Sequence, residues 1–155
     1  MQKIIWISIA WMMFLSPSII FGANTEEMEK TTEKKAVYDL RTGDIKKIEM
    51  QLISSIIKNI AYYQNHLEEL HVKVVIHGES YPFFQRSSNP KMVELGKKLG
   101  DLAQSYGVEF EICEVGMKKH NIDPKTLYPF VKIVPNATLA LIDAQSDGYG
   151  YLPLF

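Results

Sequence analysis

The only cysteine of the chain is Cys113, in the stretch GVEFEICEVG. A thiol that ends a strand and precedes a helix sits in the positive end of the helix dipole, which favours the thiolate that attacks sulfur or carbon. Lys118, Lys119 and His120 can add positive charge. Strand alternation sets Cys113 on the face of Glu109 and Glu111, with Glu114 next door, and carboxylates oppose ionisation of a thiol. The two influences conflict. The plainer alternative is a small buried hydrophobe, since unpaired cysteine is among the most buried residue types.

A second chemical group ends another strand. The run VKVVIH closes on His77 and is followed by Gly78, Glu79 and Ser80. His77 can assist a thiol at the same sheet edge, or simply cap its strand through backbone hydrogen bonds. Gly78, Glu79, Gly116 and Lys118 flank the two groups and are the candidate binding residues. His66 and His71 sit at a helix-to-strand connection and face solvent. No His, Cys or carboxylate spacing suits zinc, and there is no glycine-rich phosphate loop, so neither a metal nor a cofactor is expected. Ser80, His77 and Glu79 are contiguous, whereas a hydrolytic relay needs its members brought together from separate elements.

These groups need elements to hold them. AVYDL (36–40), VKVVI (72–76), VEFEI (108–112) and VKIV (131–134) read as strands, and GYGYLPL as a final extended segment. Between them, Ile45, Ile48, Leu52, Ile56, Ile60, Tyr63 and Leu67 recur at helical spacing. Asn89 and Pro90 open a helix that Gly107 closes, a short helix falls at 117–121, and Pro135 and Asn136 introduce another that Asp147 and Gly148 stop. Alternating strands and helices predict a small flavodoxin-like, doubly wound α/β domain: a mostly parallel sheet with helices on both faces. Ligands gather beyond the carboxyl ends of such strands, where His77 and Cys113 both lie and can be neighbours. The aromatic loop Tyr81, Phe83 and Phe84 either lines a pocket there, meets another subunit, or folds back on its own helix.

The 17 Lys and Arg balance 18 Asp and Glu, so nothing points to nucleic acid. The opening MQKIIWISIAWMMFLSPSIIFGAN has one Lys, an apolar run and then small residues, the shape of an export signal. The run approaches the roughly 20 residues that span a bilayer, so an uncleaved inner-membrane anchor is the alternative for 1–23. Residues 24–35 read as a charged linker and 36–155 as the folded domain, in a periplasmic setting. A single cysteine allows no internal disulfide.

The succession VKVVIHGES, GVEFEIC, NIDPKTLYP and VPNATLALIDAQSDGYGYLP resembles the DsrE-like (DsrE/DsrF-like) family, in its single-domain exported branch, across Ala36 to Pro153. The resemblance implies a flavodoxin-like fold, homo-oligomers that are usually trimers or hexamers, and a cysteine that carries sulfur as a persulfide or passes it to a partner. That cysteine is Cys113, with His77 matching the HG motif. It implies a sulfur carrier, sulfurtransferase-like at most, that exchanges with a separate donor or acceptor protein. The competing reading is a non-catalytic oligomeric envelope module in which Cys113 is buried and the fold binds a small ligand or a partner.

Overall fold

The structure is a computed structural model that describes residues 32–155. The expected signal or anchor at 1–23 and most of the expected linker lie outside the described residues. The domain is α/β and flavodoxin-like in class, built on one five-stranded parallel sheet in the order β4-β3-β2-β1-β5. Its strands are β1 (Glu33–Leu40), β2 (Glu69–Ile76), β3 (Glu109–Cys113), β4 (Val131–Val134) and β5 (Gly150–Leu154). The helices are α1 (Ile45–Lys47), α2 (Ser54–Gln64), α3 (Pro90–Tyr106), α4 (Glu114–Lys119) and α5 (Ala137–Ser146).

Parallel neighbours need crossover connections, and the connections explain the order. From β1 to β4 each strand is laid beside the last. The chain then returns across the sheet through α5 and adds β5 on the far side of β1. The two faces are therefore covered by different helices. Tyr38 of β1 meets Asn59 of α2, whereas Lys73, Glu111 and Lys132 share a groove with Leu139 and Ala140 of α5.

The apolar content of the strands fixes their burial. Val74, Val75 and Ile76 at the end of β2 are wholly buried, as expected for a central strand covered on both faces. Leu40, Ile48, Leu52, Ile56, Ile76, Phe84, Phe110 and Ile112 form the centre of the core. Each such side chain contributes about 2 kcal/mol by leaving water. Helix α3 has the expected termini: the Asn89 side chain accepts from the Lys91 N–H, and Gly107 adopts φ 67° beyond the last turn. Helix α5 opens on Asn136, which accepts from the Thr138 N–H.

Several boundaries differ from the sequence pattern. β1 begins at Glu33 and β2 at Glu69, so Glu33–Lys35 belong to the sheet rather than to the linker. The charged starts of both strands pair in register, Glu33 with Glu69 and Lys35 with His71, and Lys34 reaches Glu68 at 3.3 Å. The periodic helix stops at Gln64; Leu67 lies beyond it at φ 57° and is 73% exposed. Its place in the apolar spacing is coincidental. Ile48–Ile53 form a π-helical stretch between α1 and α2. In an α-helix a strict four-residue recurrence drifts about 40° per step, and a wider turn takes up part of that drift along Ile48, Leu52, Ile56 and Ile60.

Candidate functional site

The carboxyl edge of the sheet carries two unlike centres. The first is built around Cys113, the last residue of β3 and at once the residue that precedes α4. The expected loop is absent: α4 begins at Glu114 rather than near Met117, and Asn121 at φ 52° follows its end. Cys113 is 7% exposed and part of the apolar core, and its side chain accepts no hydrogen bond from the first N–H groups of α4. Tyr81 covers it. That phenol is 2% exposed and donates to the Cys113 carbonyl at 3.3 Å. Burial, the neighbouring Cys113 charge and a hydrogen bond with Cys113 all push the Tyr81 hydroxyl upward, so it stays a protonated donor beside the thiol.

Gly116 makes this arrangement possible. A Cβ at that position would lie 1.6 Å from the Tyr81 hydroxyl oxygen and 2.4 Å from Cζ. Only glycine lets α4 settle over the ring. Lys118, by contrast, is directed to Glu114 at 2.9 Å on the exposed side of α4. The carboxylates near the thiol are also engaged: Glu111 lies 3.7 Å from Lys132 and Glu109 4.0 Å from Lys73. A cleft of about 270 Å³ opens in front of Tyr81, lined by Gly78, Glu79, Pro82, Gln85, His120 and Ile122. Two candidate binding residues, Gly78 and Glu79, thus meet the cover of the thiol. Phe83 and Phe84 instead fold inward, with Phe84 packed 5.6 Å from Phe110 between ring centres.

The second centre is built around Asp39, at the end of β1 and wholly buried. A carboxylate can occupy such a position only if donors replace water. Four arrive. Arg41 Nε donates to Oδ1 at 3.1 Å and Arg41 Nη2 to Oδ2 at 2.8 Å. The Tyr151 hydroxyl, from β5, donates to Oδ2 at 2.6 Å, and His77 Nε2 contacts Oδ1. Burial alone would push the Asp39 carboxyl up, but the hydrogen bonds from Arg41, Tyr151 and His77 outweigh it and hold the group below the usual carboxylate range. The bond to Asp39 raises the Tyr151 hydroxyl in turn.

The contact also decides the tautomer of His77. Arg41 Nε lies 3.2 Å from the same ring nitrogen, but a lone pair there would face the carboxylate, so Nε2 carries the proton. Nδ1 is then the free nitrogen, with no hydrogen-bond partner among the described residues. Gly78 turns the chain after His77 at φ 67°, where its absent Cβ would stand 3.0 Å from the Arg41 carbonyl. The Glu79 N–H donates to that carbonyl at 3.0 Å. Arg41 lies over the Phe155 ring at 5.0 Å.

His77 and Cys113 follow register partners Ile76 and Ile112 and share an edge, yet no hydrogen bond links them. His77 belongs to the Asp39 centre and Cys113 to the Tyr81 centre. Asp39, Arg41 and Tyr151 are not among the residues that the sequence pattern marks, whereas Tyr81 is marked as part of the aromatic loop. The one signal for Asp39 was a carboxylate inside the otherwise apolar run AVYDL.

The comparisons with known proteins agree with this architecture. An uncharacterized protein from Aquifex aeolicus (strain VF5) is 30% identical over 137 residues, covering 77% of this chain and 55% of the relative. The chain spans about half the length of that relative. A solved structure, the protein of unknown function MTH1491 from Methanobacterium thermoautotrophicum, matches with a TM-score of 0.65 at 20% identity. That match covers 78% of this chain and 99% of the other and establishes a shared fold. The DsrE/DsrF-like family model matches residues 35–154, from the third residue of β1 to the end of β5, and the chain belongs to the DsrE/DsrF-like family.

Proposed function

We propose that the protein accepts sulfane sulfur on Cys113 as a persulfide and surrenders it to a second molecule. The observation that carries this reading is the placement of the chain's only thiol at the carboxyl edge, behind a phenol that stays protonated and can donate to a sulfur anion. In the step, the Cys113 thiolate attacks the terminal sulfur of a donor persulfide or polysulfide. A bond forms between Sγ and that sulfur, the donor S–S bond breaks, and its electron pair leaves on the donor thiolate. No external oxidant is needed. The added sulfur extends about 2 Å beyond Sγ. With no second cysteine, discharge is intermolecular, so the protein is a carrier rather than a self-contained turnover enzyme.

The setting we propose is the periplasm, on the strength of the N-terminal apolar run, with the domain assembled as a homo-oligomer and exchanging sulfur with a donor or acceptor protein. Intact mass of the native full chain, purified without reductant and treated with polysulfide, tests the chemistry. The expected result is a gain of about 32 Da per sulfur, absent in Cys113→Ser. The same spectrum reads signal removal, and light scattering reads the oligomer.

A second reading rests on the burial of Cys113, 7% exposed in the apolar core. On that reading the protein is a non-catalytic envelope module, and the exposed Leu139 and Ile142 of α5 belong to a contact surface. A thiol that labels only in denaturant, with no mass gain, would replace the first reading by this one.

A further inference from the structure

The persulfide reading uses Cys113 and leaves the Asp39 centre without a task. A structural role alone does not require its composition. Burying a carboxylate on β1 costs several kcal/mol before its partners are counted, and apolar residues of similar volume do as well or better for stability. Here Asp39 is wholly buried, and its Oδ1 holds Nε2 of a histidine whose side chain is partly exposed and whose other nitrogen has no hydrogen-bond partner among the described residues. A carboxylate that fixes one imidazole nitrogen so that the other presents a lone pair is the arrangement of a general base.

The base serves no nucleophile of its own. Ser80 is the nearest hydroxyl in sequence, and its Oγ bonds the Leu40 carbonyl at 3.0 Å and the His77 carbonyl at 2.6 Å, away from the ring. The proton must therefore come from an incoming molecule. Its charge can be read from the surroundings. The Arg41 charge is matched by Asp39, and Glu79 stands beside Gly43, where a Cβ would lie 3.0 Å from Glu79 Oε2. With His77 neutral the local balance is not positive, so the site does not draw an anion. It suits a neutral molecule with an acidic proton.

We propose that His77, oriented by Asp39, is a base that takes the proton of a small neutral thiol at the carboxyl edge of β1 and β2. The S–H bond breaks heterolytically, its pair stays on sulfur, and the proton goes to Nδ1, while Nε2 keeps its hydrogen bond to Asp39. Nothing is oxidised or reduced. The class follows from acidity: free imidazole and free thiols differ by about two pKa units, whereas water lies about nine units away. Arg41 Nη1 is left unused by Asp39. Asp39 is a positioning residue, Tyr151 the lock that keeps the carboxylate facing the ring. The use of that thiolate, attack on the outer sulfur of a Cys113 persulfide, rests on the function proposed above; its formation does not.

Two measurements separate the layers. Nitrogen-15 spectra of the reduced full chain should show His77 as the Nε2–H tautomer, with an Nδ1 resonance that moves saturably as 2-mercaptoethanol is added. In Asp39→Asn the tautomer preference and the response are both lost, an effect that mere structural support would not produce. Discharge of polysulfide-loaded protein by the same thiol, taken as a rate over the loaded fraction, should slow about 100-fold in His77→Gln and at least about 10-fold in Asp39→Asn. His77 is partly exposed, so His77→Gln keeps the test valid if Asp39→Asn does not fold. Loading with equal discharge rates in the wild type and His77→Gln overturns the inference and spares the carrier. Absence of loading overturns the carrier, and the thiol titration of Nδ1 then decides the base alone: a saturable shift upholds it and a flat response removes it.

Discussion

The two centres of the carboxyl edge solve opposite problems of burial. Around Asp39 a charge has been taken out of water and surrounded by Arg41 and His77, which follow β1 and β2, and by Tyr151 within β5. Around Cys113 a polarizable sulfur is buried, and the demand is on shape: Tyr81 fills the space that the missing side chain of Gly116 leaves. The difference teaches where each centre is fragile. The first fails when a donor or acceptor is deleted, and the second when volume is added.

Asp39→Ala gives the largest expected loss. It removes the acceptor of four contacts and leaves the Arg41, His77 and Tyr151 donors unmatched, and urea unfolding should show about 3 kcal/mol of destabilisation. Next is Gly116→Ala, expected to cost about 2 kcal/mol by overpacking and to expose Cys113 to a thiol reagent sooner than in the wild type. Adding Tyr81→Phe should restore only part of this, because ring carbon Cζ is itself 2.4 Å from the new Cβ. Full restoration would mean that the hydroxyl alone limits the fit, and the contrast between the centres would weaken.

Acid should touch one centre and not the other. The Asp39 carboxyl is lowered in the folded state, so the unfolded chain binds more protons as pH falls. The stability it contributes is complete above about pH 4, the ordinary carboxylate value, and disappears as pH drops through the lower folded value. Urea midpoints measured across that range should fall more steeply in the wild type than in Asp39→Asn. Smallest of all is Lys118→Ala, which breaks an exposed pair with Glu114 and should change stability by no more than about 0.5 kcal/mol while leaving Cys113 labelling as it was.

How far these centres could be read beforehand follows the same division. Strand and helix alternation is a local pattern, so the parallel sheet, the Asn89 and Gly107 ends of α3 and the shared edge of His77 and Cys113 were legible from residue order. The Asp39 centre is not local. Its bond to Tyr151 spans 112 residues and depends on β5 being placed beside β1, which strand alternation alone does not specify. Leu67 misled because apolar spacing continues past Gln64 while the backbone turns left-handed. The close fit of Gly116 to Tyr81 is likewise a contact between distant segments, invisible until α4 is known to start directly after Cys113.

β5 pairs with β1 and carries Tyr151, and it is the last strand of the sheet to leave the ribosome, while β1 is the first. A chain synthesised only as far as β4 already holds Cys113, Tyr81, Asp39 and His77, but Asp39 Oδ2 lacks one of its two donors and one flank of β1 is unpaired. An incomplete or proteolytically trimmed copy that ends before β5 carries Asp39 and His77 without the Tyr151 donor and with β1 as an open edge.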